Sequence, residues 1–97
     1  MAGQIRTTPE ELRARSTDYR RESETIAATI ASLDRLIARL QDEFEGAAAQ
    51  SFQQQYQDIR PSFVRGQEMT EGLSQQTMQM AQNFEDLDRQ MAASIRA

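Results

Sequence analysis

Ninety-seven residues make one domain at most, and a chain this short buries only about 60% of its unfolded surface, so its core needs a supplement. Cysteine and histidine are both absent, which excludes disulfide staples, thiol nucleophiles, imidazole bases and the usual zinc ligands, and with them proteases, zinc fingers and redox enzymes. Fifteen acidic residues against eleven arginines, with no lysine, leave a net charge of −4 and no basic block to neutralise phosphates, so nucleic acid is not an expected partner.

From the amino terminus, Thr7, Pro9, Glu10, Arg13 and Asp18 stand where a secretory signal needs an apolar core, so no cleavable Sec peptide is expected. Mean hydropathy is −0.73 and no apolar run approaches the ~20 residues of a membrane span, so the chain reads as soluble. Thr8-Pro9-Glu10-Glu11 supplies a capping hydroxyl, a proline at the first helical position and acids at the positive helix end, which predicts a helix start. Leu12, Tyr19, Ile26, Leu33 and Leu40 then recur every seven residues, interleaved with Ser16, Ser23, Ile30, Ile37 and Phe44. With no glycine or proline between Pro9 and Gly46, the first helix is predicted over about residues 9–43, with a turn at about 44–47.

Past Gly46 the stripe resumes as Phe52, Ile59, Gly66, Leu73, Met80 and Leu87 beside Tyr56, Phe63, Thr70, Thr77, Phe84 and Met91. A second helix is predicted over about residues 48–92, with a flexible tail at 93–97 and a kink rather than a break at Pro61. Folded antiparallel, the stripes are expected to pair Leu40 with Phe52, Ile37 with Tyr56, Leu33 with Ile59 and Ile30 with Phe63. Farther from the turn, Ile26 meets Gly66, Ser23 meets Thr70, Tyr19 meets Leu73, Ser16 meets Thr77 and Leu12 meets Met80. The tyrosine hydroxyls are expected to reach solvent. Two helices leave the flanks of each stripe wet, and Ala27, Ala31, Ala38, Ala48, Ala49 and Val64 offer a smooth surface for another pair. The fold expected is all-α: an antiparallel helix-turn-helix hairpin that dimerises into a four-helix bundle. The exclusive use of arginine reads as the coding bias of a GC-rich genome rather than as selection for forked ion pairs.

The turn Phe44-Glu45-Gly46, with Leu40 before it and Ala48 and Phe52 after it, resembles the WXG family of about hundred-residue proteins, the Esx or ESAT-six-like substrates of type VII secretion. The resemblance covers nearly the whole chain, including the opening from Thr8 to Leu12, the hairpin and Arg60-Pro61; Phe44 stands where that family usually has tryptophan, which keeps a ring and loses an indole N–H. A second family element, a tyrosine followed four positions later by an acid, is met by no tyrosine here but has a phenylalanine version in Phe84 and Asp88, which share one helix face as a single groove would require. The resemblance implies a non-enzymatic substrate exported as a folded dimer through a machine driven by a hexameric membrane ATPase of the FtsK/SpoIIIE class. It would be secreted without a Sec peptide from a cytoplasmic pool, paired with itself or with a paralogous hairpin.

No catalytic, cofactor-binding or metal-binding residue is assigned, because the acids, Asp42, Glu43 and Glu45 among them, fall where a bundle meets solvent and a narrow hairpin offers no small-molecule pocket. The competing expectation is an intracellular helical adaptor that pairs with the helical domain of a larger secreted toxin. A membrane-active amphipathic protein is disfavoured by the absence of lysine and the negative charge.

Overall fold

The computed structural model describes residues 7–44 and 46–96 of the chain. It contains two helices, α1 (Pro9–Glu43) and α2 (Ala47–Arg96), folded back on each other into a rod of 76 × 27 × 16 Å. Thr8, in extended conformation, caps α1: its Oγ1 accepts the Glu11 N–H at 3.1 Å, and its carbonyl accepts the Leu12 N–H at 3.0 Å. At 50 residues and about 1.5 Å per residue, α2 spans ~75 Å, close to the whole long axis, so it runs through Pro61 without a break or a sharp bend. It also stays helical through Arg96, beyond the point where the sequence suggested a loose tail; Met91, Ala92 and Ala93 are strong helix formers.

The seam between the helices departs from the expected pairing. Ser16 Oγ donates to the Ser74 carbonyl at 2.8 Å, and Ser74 Oγ returns a bond to the Ser16 carbonyl at 2.8 Å. One turn-pair closer to the hairpin end, Ser23 Oγ donates to the Gln67 carbonyl at 3.3 Å, and Gln41 Nε2 reaches the Ala49 carbonyl at 2.7 Å. Ser16 therefore meets Ser74 rather than Thr77, and Ser23 meets Gln67 rather than Thr70, a shift of about three residues along α2. With that shift the face of α2 turned toward α1 is the series Gln53, Arg60, Gln67, Ser74 and Ala81, beside Ala49 and Tyr56. Ala49 thus belongs to the seam and not to an outer surface.

The physical reason is distance. Side-chain hydroxyls that bond directly to the facing helix's carbonyls require the two backbones to approach closely, and only small residues permit it. Among the described residues, Leu12, Ser16, Ser23, Ile30, Ala49, Ser74 and Ala81 are the buried ones, and none of the large side chains is fully enclosed. The larger apolar residues expected in the hairpin core split into two groups. Ile26, Leu33, Ile37, Leu40 and Tyr56 are half-buried, while Tyr19, Phe52, Ile59, Phe63, Leu73 and Met80 stay exposed, Phe52 to 53% and Ile59 to 50%. Gly66 does not lie under Ile26: a Cβ built on it meets nothing within 4 Å.

A close seam tolerates no added bulk. Ser74→Leu is expected to destabilise the hairpin by about 1–3 kcal/mol through overpacking, although leucine is the better helix former. Ser74→Ala should lose only about 1 kcal/mol for the hydrogen bonds removed. Urea denaturation followed by circular dichroism measures both, and a Ser74→Leu chain as stable as wild type would show that the helices are not this close.

Candidate functional site

Three groups of side chains stand out, and the seam sorts them onto different parts of the rod. The first is the turn. Phe44 leaves the helix in extended conformation (φ −128°, ψ 132°), and its N–H still bonds to the Leu40 carbonyl at 3.0 Å. Gly46 has φ +101°, a left-handed conformation that side-chain-bearing residues rarely adopt, and its carbonyl accepts the Gln50 N–H at 3.3 Å to open α2. The chain thus reverses on an extended aromatic and a left-handed glycine two residues apart. The Phe44 ring is 57% exposed and shares a shallow apolar cavity of about 210 Å³ with Leu40, Ala48, Ala49 and Phe52. Glu45 lies outside the described residues.

The second group is at the far end of α2. Phe84 and Asp88 are both exposed and one helical turn apart. An ion pair between Arg13 and Glu85 ties this part of α2 to the first turns of α1, and α2 continues past the start of α1. Within one chain the turn and the tail are not brought together: Gly46 and Phe84 are separated by almost the full hairpin, on the order of 57 Å along the helix.

The third group had no role in the sequence reading. Arg60 forks onto Asp34, Nε to Oδ1 at 2.9 Å and Nη2 to Oδ2 at 3.0 Å, while the Tyr56 hydroxyl donates to Asp34 Oδ1 at 2.5 Å, with the Ile30 carbonyl also near at 3.3 Å. Tyr56 therefore spends its hydroxyl on a cross-helix carboxylate rather than on solvent. The Arg60 and Tyr56 hydrogen bonds hold the Asp34 carboxyl down from its ordinary 3.8 to about 2. The Tyr56 phenol is pushed up by burial and by the Asp34 carboxylate it bonds. The fork used here is the geometry that lysine cannot supply. Its signal in the sequence was weak, because Asp34 and Arg60 sit beside the apolar stripes and become neighbours only once the register is known.

The cluster lies in a groove with Gln41, Gln53 and Gln57 on one side of the seam. The other side carries the large apolar residues: Ile26, Leu33 and Phe63 line one groove there, and Leu40, Phe44 and Phe52 line the cavity at the turn. The hairpin has a polar face locked by charge and an apolar face left open.

An aromatic-x-glycine reversal between two long antiparallel helices, in a chain of this length, is what the comparison with known proteins recognises: residues 4–89 match WXG100, the proteins of 100 residues with WXG. The chain belongs to this family. It is similar to protein YukE of Bacillus subtilis strain 168, with 38% identity over 96 residues and 99% of each chain covered. It also resembles type VII secretion system extracellular protein A of Staphylococcus aureus strain USA300, with 28% identity over 88 residues and 91% of each covered. Among solved structures, EsxA of Geobacillus thermodenitrificans superimposes with a TM-score of 0.87 at 43% identity, covering 95% of this chain and 99% of that one. The E54Q mutant of secreted EsxB from Bacillus anthracis, at 23% identity and a TM-score of 0.78, shares the fold over 91% of this chain and 97% of its own. As a WXG100 protein of the EsxA type, the chain is a secreted, non-enzymatic type VII secretion substrate, and the intracellular adaptor gives way to that reading. At the reversal Phe44 presents a ring that has no donor, set against Leu40, Ala48 and Phe52.

The carboxylate cluster has a pH signature with a definite sign. Because the Asp34 pKa is lower in the folded chain than in the unfolded one, its contribution is fully present above about pH 4 and is lost as pH falls through about 2. Asp34→Asn is expected to melt at a lower temperature than wild type at pH 5–7, and the gap should close between pH 4 and pH 2. A gap that stays constant over that window would mean the cluster does not hold Asp34 ionised in the fold.

Proposed function

We propose that this protein leaves the cell as a folded dimer of hairpins, paired with itself or with a paralogous hairpin, and that the FtsK/SpoIIIE-class membrane ATPase reads a signal assembled from two chains. The observation that carries the reading is the unpartnered apolar face. Tyr19, Ile26, Leu33 and Leu40 on α1 and Phe52, Ile59, Phe63, Leu73 and Met80 on α2 are half-buried or exposed along the length of the hairpin. A contiguous apolar surface of that extent is a protein interface rather than a solvated flank. A second hairpin laid on it encloses a four-helix core, with Leu12 and Ile30 already buried beneath.

Laid end for end in reverse, two hairpins bring the overhanging end of each α2 to the turn of the other chain. Phe84 and Asp88 of one copy then stand near Phe44 and Gly46 of its partner, although in a single chain they lie at opposite ends. The export signal is composite in this reading: an aromatic and an acid on an exposed helical turn, beside the partner's aromatic-x-glycine reversal. A monomer displays only halves of it, so the machine selects folded, paired substrate from the cytoplasmic pool.

Asp88→Ala is the discriminating variant. Its carboxylate is exposed, so helicity and dimer mass should be unchanged, while secretion from the native host should be abolished. Phe84→Ala should also block export, with some loss of stability because the ring is partly covered. Asp88→Ala found in the medium at the wild-type level, from cells whose machine exports the wild-type chain, removes the tail from the signal.

A further inference from the structure

Gly66 sits in the interior of α2, where glycine is a poor helix former, and nothing in its own chain requires it: a Cβ there would meet open space. It lies on the apolar face, in series with Ile59 and Leu73, so it is a gap in an otherwise bulky ridge; Phe63, one turn before it, is 41% exposed. Knob and gap are side by side in one chain.

Their position along the rod is as informative as their chemistry. The seam pairs Ser23 with Gln67, so three residues on, Ile26, the midpoint of α1, comes level with Val64. Two hairpins whose two-helix stretches overlap fully, α1 on α1, apolar face to apolar face and end for end in reverse, are related by a two-fold axis at that level, and the end of each α2 projects beyond the overlap. The axis crosses the helices at right angles between the two faces, which sets α2 antiparallel against the other copy's α2. The midpoint between Phe63 and Gly66 falls within about one residue rise, ~1.5 Å, of that axis. Phe63 of each copy is thereby level with Gly66 of the other.

We infer, resting on the dimer reading above, that Phe63 of each copy seats in the gap over Gly66 of the other, and that this reciprocal contact makes the chain self-complementary and its pairing homotypic. The same symmetry brings Ile59 level with Thr70 and Phe52 level with Thr77, so large residues face small ones along the contact. The threonines are suited to burial there: Thr70 Oγ1 already donates to the Gly66 carbonyl at 2.8 Å and Thr77 Oγ1 to the Leu73 carbonyl at 2.7 Å, which leaves no hydroxyl hydrogen unsatisfied. A chain built to pair with a different hairpin would need the knob on one partner and the gap on the other. Here both occur in one sequence, equidistant from the axis.

Sedimentation equilibrium of the full-length chain, with circular dichroism to follow helicity, tests the contact. Gly66→Leu should keep or raise helicity yet weaken dimerisation by about tenfold or more, with Gly66→Ala weakening it less. Adding Phe63→Ala to Gly66→Leu moves the bulk across the pair and should return the dissociation constant to within about threefold of wild type. A helical Gly66→Leu chain that dimerises as tightly as wild type, or a double variant no tighter than the weaker single one, overturns the contact and leaves the dimer reading standing. A wild-type chain that sediments as a monomer at about 50 µM overturns both.

Discussion

The close approach of the two helices is the constraint on which the rest depends. Ser16 and Ser74 exchange hydroxyl-to-carbonyl bonds at 2.8 Å in both directions, and Ser23 repeats half of that arrangement on Gln67. Hydroxyls bonded to a facing backbone cannot be kept with phenylalanine, leucine or methionine in the same layers. The seam is therefore small and polar, closed by Ala49 and Ala81, and the large residues of the second stripe are displaced to one side. What would have been the core of a self-sufficient hairpin becomes a surface.

The displacement makes the two sides of the rod unlike. On one, Arg60 and Tyr56 converge on Asp34, Gln41 reaches across to Ala49, and Arg13 pairs with Glu85, so charge and amide groups bridge the helices directly. Those bridges are partly exposed and contribute modestly to stability. Their larger effect is to keep that side hydrated and to hold the register, since a helix sliding past its neighbour would break the Arg60 fork. On the other side the apolar ridges of α1 and α2 have no partner among the described residues. A single sticky face of fixed outline favours a closed pair over an open-ended array.

A short chain without cysteine needs some supplement to its core, and a face of this kind is suited to supplying it through association. The same arrangement separates the turn from the aromatic and acid proposed as the tail signal. The extended Phe44 and the left-handed Gly46 are at one end of the rod, and Phe84 and Asp88 are at the other, past the start of α1. Any receptor that reads both on one surface must meet more than one chain. In the proposed dimer, pairing and recognition are linked through the length of α2 and the polarity of its faces.

Much of this protein follows from local sequence. The cap at Thr8, the uninterrupted heptads and the glycine at position 46 define two helices and a turn, because capping, periodicity and positive φ are local properties. The family resemblance was legible too, since it rests on the short spacing from Leu40 through Phe44 and Gly46 to Phe52. Only the tertiary structure decided which face of α2 meets α1. Gln53, Arg60, Gln67, Ser74 and Ala81 lie outside the apolar stripes, while Phe52, Ile59, Leu73 and Met80 lie on one and looked like a core. A heptad pattern states that apolar residues share a stripe, but not whether its partner lies in the same chain. That choice turned on interhelical distance, on hydroxyls and carbonyls contributed by residues as far apart as Ser16 and Ser74, and on the Asp34–Arg60 fork, none of which a periodicity contains.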